Sequence, residues 1–426
     1  MRQSHKTVYL ERALLAGILN GDAGPAEPLE ELSRLAETAG AEVVRRVIQK
    51  RDVPDSKHYI GSGKVQEIGA ALEPDKIDVV IFDNDLSSAQ IRNLEKDLKC
   101  KVIDRTELIL DIFATHARTQ QAKLQVELAQ LEYSLPRLRR MWTHLGQQAG
   151  GAIGGAIGVR GPGEKQLEVD RRVARHRIHE LRKDIALIEK RKQREVRART
   201  LDNYTVSLVG YTNAGKSTLM NALTGAEVIA EDRLFSTLDT RTRLWRLPDG
   251  SKVLLSDTVG FIRNLPTSLV TSFHATLEEV VQADLLLHVV DASDPESGRQ
   301  IEAVDDVLAK IGAKEKDTLI LFNKSDRLRD SVELTLLSRT HPDALGISAR
   351  TGQGLDVLAE RMAKILSSRL VELDVEIPQS EGRLLADLAA NTMVLRREDG
   401  PEVVKLRVRA PRRLVWKLRS FSAQQS

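Results

Sequence analysis

The sequence of 426 residues has little cysteine, few aromatic residues and no long apolar run. Cys100 is the only cysteine, which excludes an intramolecular disulfide and a cysteine-rich zinc site and fits a reducing setting. Aromatic residues make up 4%, so the cores must consist mostly of Leu, Ile, Val and Ala. Every apolar stretch is too short to cross a bilayer, and the N-terminus lacks a signal-peptide core. We therefore expect a cytoplasmic protein without a transmembrane segment, and leave a peripheral association with membranes open.

The excess of one sign of charge is also small: 64 basic and 61 acidic residues give a net charge of +3. Binding of nucleic acid would therefore depend on local clusters of basic residues. Hydrophobic residues make up 41%, as in ordinary globular proteins. Because a chain of this length exceeds what one hydrophobic core usually serves, we expect two to four domains.

The hydrophobic pattern predicts a multidomain α/β protein. Helical runs alternate with short apolar strands over 29–118 and again over 201–368, which is typical of parallel sheets covered by helices. Residues 1–28 are weakly patterned and are interpreted as a loose arm or a short element plus a linker. The predicted parts are an N-terminal arm (1–28), an N-terminal α/β domain (29–118), a helical hairpin (119–200), a second α/β domain (201–368) and a small C-terminal α+β domain (369–426).

Two long helical segments carry narrow apolar seams of the coiled-coil type. Pro136 lies inside the first seam and predicts a kink. The segment 149–163 between the helices is rich in glycine, contains a four-residue direct repeat and cannot continue a helix, so we expect an antiparallel hairpin with a glycine-rich tip. The seam residues are Leu124, Leu128, Leu131, Leu135 and Leu138 in the first helix, and Ile178, Leu181, Ile185 and Ile188 in the second.

A phosphate loop opens the second α/β domain. A strand over 206–209 leads into Gly210-Tyr211-Thr212-Asn213-Ala214-Gly215-Lys216-Ser217 and then into a helical pattern. This is the G-x-x-x-x-G-K-[ST] motif in the strand–loop–helix context that it requires. Its glycines let backbone N–H groups surround phosphates at a helix N-terminus. We expect Lys216 to contact the β- and γ-phosphates and Ser217 to ligate Mg²⁺.

Two later segments fit contacts with Mg²⁺ and the γ-phosphate. Thr237 follows the first helix of the domain, where a threonine can complete the coordination of Mg²⁺. Asp257 follows the strand 253–255 and can hold Mg²⁺ through water, and the Gly260 N–H can meet the γ-phosphate. Each short motif is weak by itself, but their common order on successive strand ends makes chance an unlikely explanation.

The base is identified by Asn323-Lys324-Ser325-Asp326 after the strand 319–322 and by Ser348-Ala349. The Asp326 carboxylate can accept from the ring N–H and the amino group of guanine, whereas adenine would leave that charge unpaired. The motifs therefore predict a GTPase domain with a Ras-like doubly wound sheet over 201–368. The predicted GTP-binding residues are Gly210, Tyr211, Thr212, Asn213, Ala214, Gly215, Lys216, Ser217, Phe235, Ser236, Thr237, Leu238, Asp239, Asp257, Thr258, Val259, Gly260, Asn323, Lys324, Ser325, Asp326, Ser348 and Ala349.

The predicted catalytic residues are Lys216, Thr237, Gly260 and Asn213. In many Ras-like proteins a glutamine after Asp-x-x-Gly orients the attacking water, but here Phe261 stands in that place and predicts slow intrinsic hydrolysis that a partner stimulates. Asn213 resembles the asparagine of GTPases that bind K⁺ beside the phosphates. Its alternative role is to stabilise the turn, and the sequence leaves both open.

The second hairpin helix is a candidate surface for RNA. Residues 164–199 contain thirteen Lys and Arg against seven acidic residues, a net +6, which suits contact with phosphate backbones. The alternative is a solvated coiled-coil face with internal ion pairs. The tip glycines would let the backbone approach RNA closely, or would form a simple linker. A basic run over 405–419 is a weaker second candidate.

The sequence resembles the HflX family of ribosome-associated GTPases over nearly the whole chain. The resemblance rests on the motifs above and on Tyr59–Lys64, Val102–Thr106, Ala122–Leu131 and Arg160–Glu164. It implies the domain order given above, binding to the large ribosomal subunit and its RNA, and a role in splitting or rescuing stalled ribosomes under stress. By analogy, the tip would reach toward the peptidyl-transferase region. We expect a monomer that binds GTP or GDP with Mg²⁺.

The sequence departs from the family pattern in three places. An extra Gly-Ala-Ile-Gly repeat lengthens the tip, Lys165 stands where threonine is usual, and Thr240-Arg241-Thr242-Arg243 replaces Pro-Thr-Thr-Arg. Two rival functions are an RNA-assembly GTPase similar to the Era group and an ATP-driven RNA remodelling enzyme. The first would need a KH module, and 369–426 has no Gly-x-x-Gly loop; the second would use Gly61–Lys64, which lacks a full phosphate-loop pattern.

Overall fold

The computed structural model describes most of the chain. Among the described residues, no helix has both the length and the hydropathy needed to cross a membrane. The described residues are 10–19, 28–141, 162–202, 204–225, 234–235, 240–263, 274–328, 339–368, 370–411, 418 and 421.

The N-terminal domain is built on a four-stranded parallel sheet in the order β2-β1-β3-β4. Its inner strand β1 pairs with β2 over 11–19 and with β3 over 13–16, and Ala13–Ala16 are buried. Residues 1–28 therefore contain the short element that was one of the two interpretations, and this element belongs to the domain expected to begin at residue 29. A short run buried on both faces does not alternate, so its pattern did not reveal a strand. The elements are β1 (Glu11–Leu19), α1 (Glu30–Thr38), β2 (Ala41–Lys50), α2 (Ser62–Leu72), β3 (Val79–Phe82), α3 (Ser88–Leu98), β4 (Lys101–Asp104) and α4 (Arg105–His116).

Two long helices, α5 (Gln120–Met141) and α6 (Pro162–Asp202), pack against each other through the predicted seam. Ion pairs flank the seam, with Arg177 Nε 2.7 Å from Glu127 and Arg182 2.8 Å from Glu132. Residues 149–161 of the predicted tip lie outside the described residues, and 162–163 begin α6. The contacting side chains are Leu124, Leu128, Ile178, Leu181 and Ile185, with Leu131, Leu135 and Ile188 partly buried beside them.

The next domain has a six-stranded sheet in the order β10-β9-β8-β5-β7-β6 with helices on both faces, which confirms the doubly wound fold. All of its strand pairs are parallel except β6 with β7. The carboxyl ends of the parallel strands meet at one edge, where ligands bind in such sheets. The elements are β5 (Tyr204–Gly210), α7 (Lys216–Thr224), β6 (Arg241–Arg246), β7 (Lys252–Asp257), α8 (His274–Gln282), β8 (Leu285–Asp291), α9 (Ser297–Lys310), β9 (Thr318–Asn323), β10 (Leu345–Gly346) and α10 (Leu355–Ser368).

The C-terminal part is the predicted small α+β domain. Strands β11 (Leu370–Pro378), β12 (Met393–Asp399) and β13 (Val403–Pro411) form an antiparallel sheet in the order β11-β13-β12, and α11 (Gly382–Asn391) packs with it. The basic side chains of β13 face carboxylates of β11. The cross-strand pairs are Arg409–Glu372, Arg407–Asp374 and Lys405–Glu376, at 2.6–2.8 Å. Three of the seven basic residues of the run over 405–419 are therefore paired within the sheet, which weakens the described part of the run as a candidate for binding RNA.

Candidate nucleotide site

The phosphate loop lies where strand β5 ends and helix α7 begins. Two of its glycines are required by close approaches of other atoms. A Cβ on Gly210, whose φ is +149°, would lie 2.2 Å from the carbonyl oxygen of Val289, and a Cβ on Gly215, whose φ is +97°, would lie 2.3 Å from Asn323 Nδ2. Any side chain there would collide with backbone or with a buried amide, so the loop holds its shape only with glycine.

Lys216 is buried at the start of α7, and its ammonium group faces the phosphate loop. Its Nζ donates to the carbonyl oxygens of Gly210 at 3.0 Å and Tyr211 at 2.8 Å. Burial lowers the pKa of Lys216 to about 8, although the carboxylate of Asp257 opposes that shift. The ammonium therefore carries a desolvation cost that an anion in the loop would relieve.

This pKa predicts that nucleotide affinity depends on pH. We expect a diphosphate to bind the protonated form of Lys216, so the affinity for GDP should fall as the pH rises through the pKa of the free protein, which is about 8. The fall should approach tenfold for each further pH unit. Fluorescence titration with a labelled GDP between pH 6.5 and 9.5 measures it. The affinity for guanosine, which has no phosphate, is the control, and an affinity for GDP that stays constant to pH 9.5 would contradict the assignment.

The side chains expected to hold Mg²⁺ lie together. Ser217 Oγ donates to Asp257 Oδ2 at 2.6 Å, at the end of β7. The described residues contain no group of three or more His, Cys, Asp or Glu side chains able to hold a metal. A hydroxyl and a carboxylate beside a phosphate loop suit Mg²⁺, which prefers oxygen ligands and keeps several waters. Thr237, Ser236, Leu238 and Asp239 lie outside the described residues, so their predicted contacts are not placed.

The predicted guanine-binding residues contact the middle of the phosphate loop. Asn323 links three segments, because its Nδ2 donates to the Ala214 carbonyl at 2.8 Å and its Oδ1 accepts from the Ala349 N–H at 2.9 Å. Lys324 Nζ donates to the carbonyl of Asn213 at 2.8 Å. These bonds fix the base-binding strand ends to the phosphate loop.

The carboxylate of Asp326 is oriented by a neighbouring residue of the site, Ser348. Ser348 Oγ donates to Asp326 Oδ1 at 2.6 Å, which gives Ser348 a side-chain role in addition to the backbone contact predicted for it. Asp291 was not predicted from the sequence; its carboxylate lies 2.7 Å from Lys324 Nζ. Its position at the end of β8, next to β9 in the sheet, was the signal that could have revealed it.

The segment after Asp257 is joined to the phosphate loop by backbone hydrogen bonds. Phe261 N donates to the Gly210 carbonyl at 3.1 Å, and Thr212 N donates to the Phe261 carbonyl at 2.7 Å. A Cβ on Gly260 would lie 2.8 Å from Thr212 Cα, so glycine is needed for this approach. The Phe261 side chain is 2% exposed and packs in the core, which leaves the usual position of the water-orienting glutamine without a polar group.

An ion-pair network ties the N-terminal domain to this loop. Glu31 of α1 accepts from Tyr211 OH at 2.6 Å and lies 2.6 Å from the Arg263 guanidinium. Arg105, whose side chain is 3% exposed, bridges Glu31 and Asp83 at 2.7 Å each. The ion pairs of these three N-terminal residues were not predicted, because their partners are far away in the sequence; only Arg105 lies in a stretch that the family resemblance marks, Val102–Thr106.

The strand ends, the phosphate loop and the Ser217–Asp257 pair define the class of protein, a P-loop GTPase. Protein-family models match the chain in the order of its domains. They are described as a GTP-binding GTPase N-terminal region (26–114), a GTP-binding GTPase middle region (116–199), a 50S ribosome-binding GTPase (205–324) and an HflX C-terminal domain (333–414).

Similar proteins identify the family. A GTPase HflX of Magnetococcus marinus is 47% identical over 383 residues, which cover 89% of this chain and 87% of the relative. A GTPase HflX of Escherichia coli is 45% identical over 406 residues, which cover 94% of each chain. The chain belongs to the HflX family of GTPases, and it is a GTP hydrolase.

Among solved structures, the chain is similar to a protein called SsGBP in complex with GDP, with a TM-score of 0.48 and 26% identity. That match covers 84% of this chain and 98% of the other. A GTP-binding protein from Sulfolobus solfataricus with GDP matches with a TM-score of 0.43 and 26% identity, over 83% of this chain and 98% of the other.

Proposed function

We propose that the protein is a GTP-dependent switch that binds the large ribosomal subunit and splits or rescues stalled ribosomes under stress. The observation that carries the proposal is that the basic helix α6 leads, through a single residue, into β5 of the nucleotide site. The match of 205–324 to a family described as a 50S ribosome-binding GTPase supports the same partner.

Helix α6 presents a basic stripe opposite its apolar seam. At about 100° per residue, Arg172, Arg175, Lys183, Lys190 and Arg194 fall within one third of the helix surface, centred away from Leu181 and Ile185. All five are exposed, and no acidic residue of 171–194 shares that third. A stripe of one sign suits the phosphate backbone of RNA better than a coiled-coil face with internal ion pairs.

In the proposed reaction, Lys216 and the N-terminus of α7 bind the β- and γ-phosphates, and the Gly260 N–H donates to the γ-phosphate. Ser217, Asp257 and Thr237 would hold Mg²⁺, which supplies charge neutralisation at the phosphates when bound. Because Phe261 cannot orient water, intrinsic hydrolysis should be slow and should accelerate when the ribosome orders the site.

Cosedimentation with 50S subunits tests the proposal. The chain should sediment with 50S subunits in the presence of a non-hydrolysable GTP analogue and much less with GDP or without nucleotide. The variant R172Q/R175Q/K183Q should bind at least roughly tenfold more weakly, with a shallower salt dependence, because three phosphate contacts are lost.

The control K57Q/K310Q/K314Q removes the same charge from exposed side chains elsewhere and should bind normally. Association that ignores the nucleotide, or that the stripe variant retains in full, would contradict the proposal. Conversion of 70S ribosomes to subunits in the same gradients tests splitting separately from binding.

Asn213 leads to a second test, for K⁺. Its φ of +62° explains why a residue that tolerates the left-handed region stands there, and this supports the turn role. The K⁺ role predicts faster hydrolysis in K⁺ than in Na⁺, and N213G should abolish that difference because glycine keeps the turn and removes the side-chain oxygen. Steady-state turnover in the two salts measures it. Equal wild-type rates in both salts would leave Asn213 with the turn role alone.

A further inference from the structure

Helix α6 also contacts the GTPase domain directly, at the residue before β6. Lys192 Nζ donates to Thr240 Oγ1 at 2.9 Å. Thr240 lies three residues after Thr237, the predicted Mg²⁺ ligand, and immediately before β6. The helix proposed to face the ribosome thus holds the residue from which β6 starts.

Thr240 passes this contact on to Glu279 of helix α8, the first described helix after Asp-x-x-Gly. The Thr240 hydroxyl donates to Glu279 Oε1 at 3.2 Å, and the Thr242 hydroxyl donates to Glu279 Oε2 at 3.2 Å. A hydroxyl has one proton and two lone pairs, so Thr240 can donate to Glu279 while it accepts from Lys192. The three residues therefore form a directed chain from an ammonium to a carboxylate.

The carboxylate end of this chain is fixed in the core. Glu279 is 8% exposed, and its backbone carbonyl accepts from Ser207 of β5 at 2.9 Å. Thr242 also bonds Ser256 at 3.1 Å, directly before Asp257. A buried carboxylate needs its hydrogen-bond partners, so loss of the Thr240 hydroxyl destabilises the position of Glu279 and of the residues bonded to it.

We propose that Lys192, Thr240 and Glu279 are positioning residues for GTP hydrolysis. They tie α6 to the start of β6 and, through Thr242 and Ser256, to the residue before Asp257, so that a displacement of α6 shifts the Ser217–Asp257 pair proposed to hold Mg²⁺. The inference deepens the proposed function, on which it rests for the source of the displacement: RNA contact on the basic stripe of α6 reaches the nucleotide site through this chain of hydrogen bonds.

The test compares T240V, T240S and K192M with the wild-type protein. In T240V the shape is kept and the hydroxyl is lost. We expect the Mg²⁺ concentration for half-maximal intrinsic hydrolysis to rise at least threefold, and the stimulation of kcat by 50S subunits to fall at least fivefold. Binding of GDP and of 50S subunits should change less than twofold. K192M should act in the same direction, and T240S should restore wild-type behaviour.

T318V is the matched control, because Thr318 is exposed at the start of β9 and its hydroxyl bonds only the local carbonyl of Lys316. A merely structural role would lower the melting temperature of T240V and leave both kinetic readouts unchanged, and that result overturns the inference. If wild-type protein fails to bind 50S subunits, the proposed function fails. In that case the Mg²⁺ dependence of intrinsic hydrolysis in T240V, compared with the wild-type protein, still tests the inference without the ribosome.

Discussion

Replacing Asp326 by asparagine should lower the affinity for GDP by at least about a hundredfold and make xanthosine diphosphate the preferred ligand. The Asp326 carboxylate is expected to accept from two guanine donors, the ring N–H and the 2-amino group. Asparagine keeps one acceptor but presents an NH₂ to the amino group, so two donors would face each other without water to separate them. Xanthine has a carbonyl at that position and accepts from the new amide.

Ser348 makes this outcome specific, because its hydroxyl already binds Asp326 Oδ1 at 2.6 Å. The same bond in D326N would keep the amide oxygen at Ser348 and turn the NH₂ toward the base. Competition titrations of a labelled nucleotide by GDP and by xanthosine diphosphate measure the preference. The control D343N removes the same charge at an exposed site of the domain. A D326N protein that still prefers GDP would remove Asp326 from the guanine contact.

Replacing Glu31 by alanine should destabilise the protein by about 3–5 kcal/mol, because a buried guanidinium loses a partner. Of its two carboxylate partners Arg105 would keep Asp83, and Tyr211 and Arg263 would lose their shared acceptor. The shift of the urea midpoint at unchanged slope measures the loss. The control E30A removes the neighbouring carboxylate, whose partners Arg34 and Arg46 are more exposed, and should cost about 0–1 kcal/mol. Equal losses in the two variants would contradict a special role for Glu31.

The effect of E31A should also depend on pH. Burial alone would raise the pKa of Glu31, but Arg105, Arg263 and the Tyr211 hydroxyl together lower it below its ordinary value. A carboxyl whose pKa is lowered by folding stabilises the protein above its unfolded-state pKa and loses that contribution as the pH falls through its folded-state pKa. The gap between wild type and E31A should therefore be full at neutral pH and narrow in acid.

Local patterns predicted most of the fold and most of the residues at the nucleotide site. The seam from Leu124 to Leu135 and from Ile178 to Ile188 follows from helical periodicity, and the structure confirms it. The loop 210–217 and Asp257 lie at strand ends because the G-x-x-x-x-G-K-[ST] and Asp-x-x-Gly patterns fix that context. Contacts to the nucleotide itself stay predictions, including those of Thr237.

What the sequence did not reveal depends on distant partners. Strand β1 lacks alternation because both of its faces are buried. Arg105 stands at a polar helix start, where a charge normally faces solvent, and only the folded chain buries it between Glu31 and Asp83. The bond from Lys192 to Thr240 joins two segments whose spacing in the sequence carries no periodic signal. Each of these features is set by tertiary packing.

One hydrophobic core runs from the N-terminal domain into the GTPase domain, and this has a consequence for synthesis. Phe113 of α4 meets the ring of Phe235 edge to face, with centroids 4.6 Å apart, and the same core includes Phe261. A nascent chain that has released only the N-terminal domain would expose the Phe113 face until residues 235 and 261 emerge. The two domains therefore complete their folding together, and a fragment that stops before the phosphate loop should be prone to aggregation.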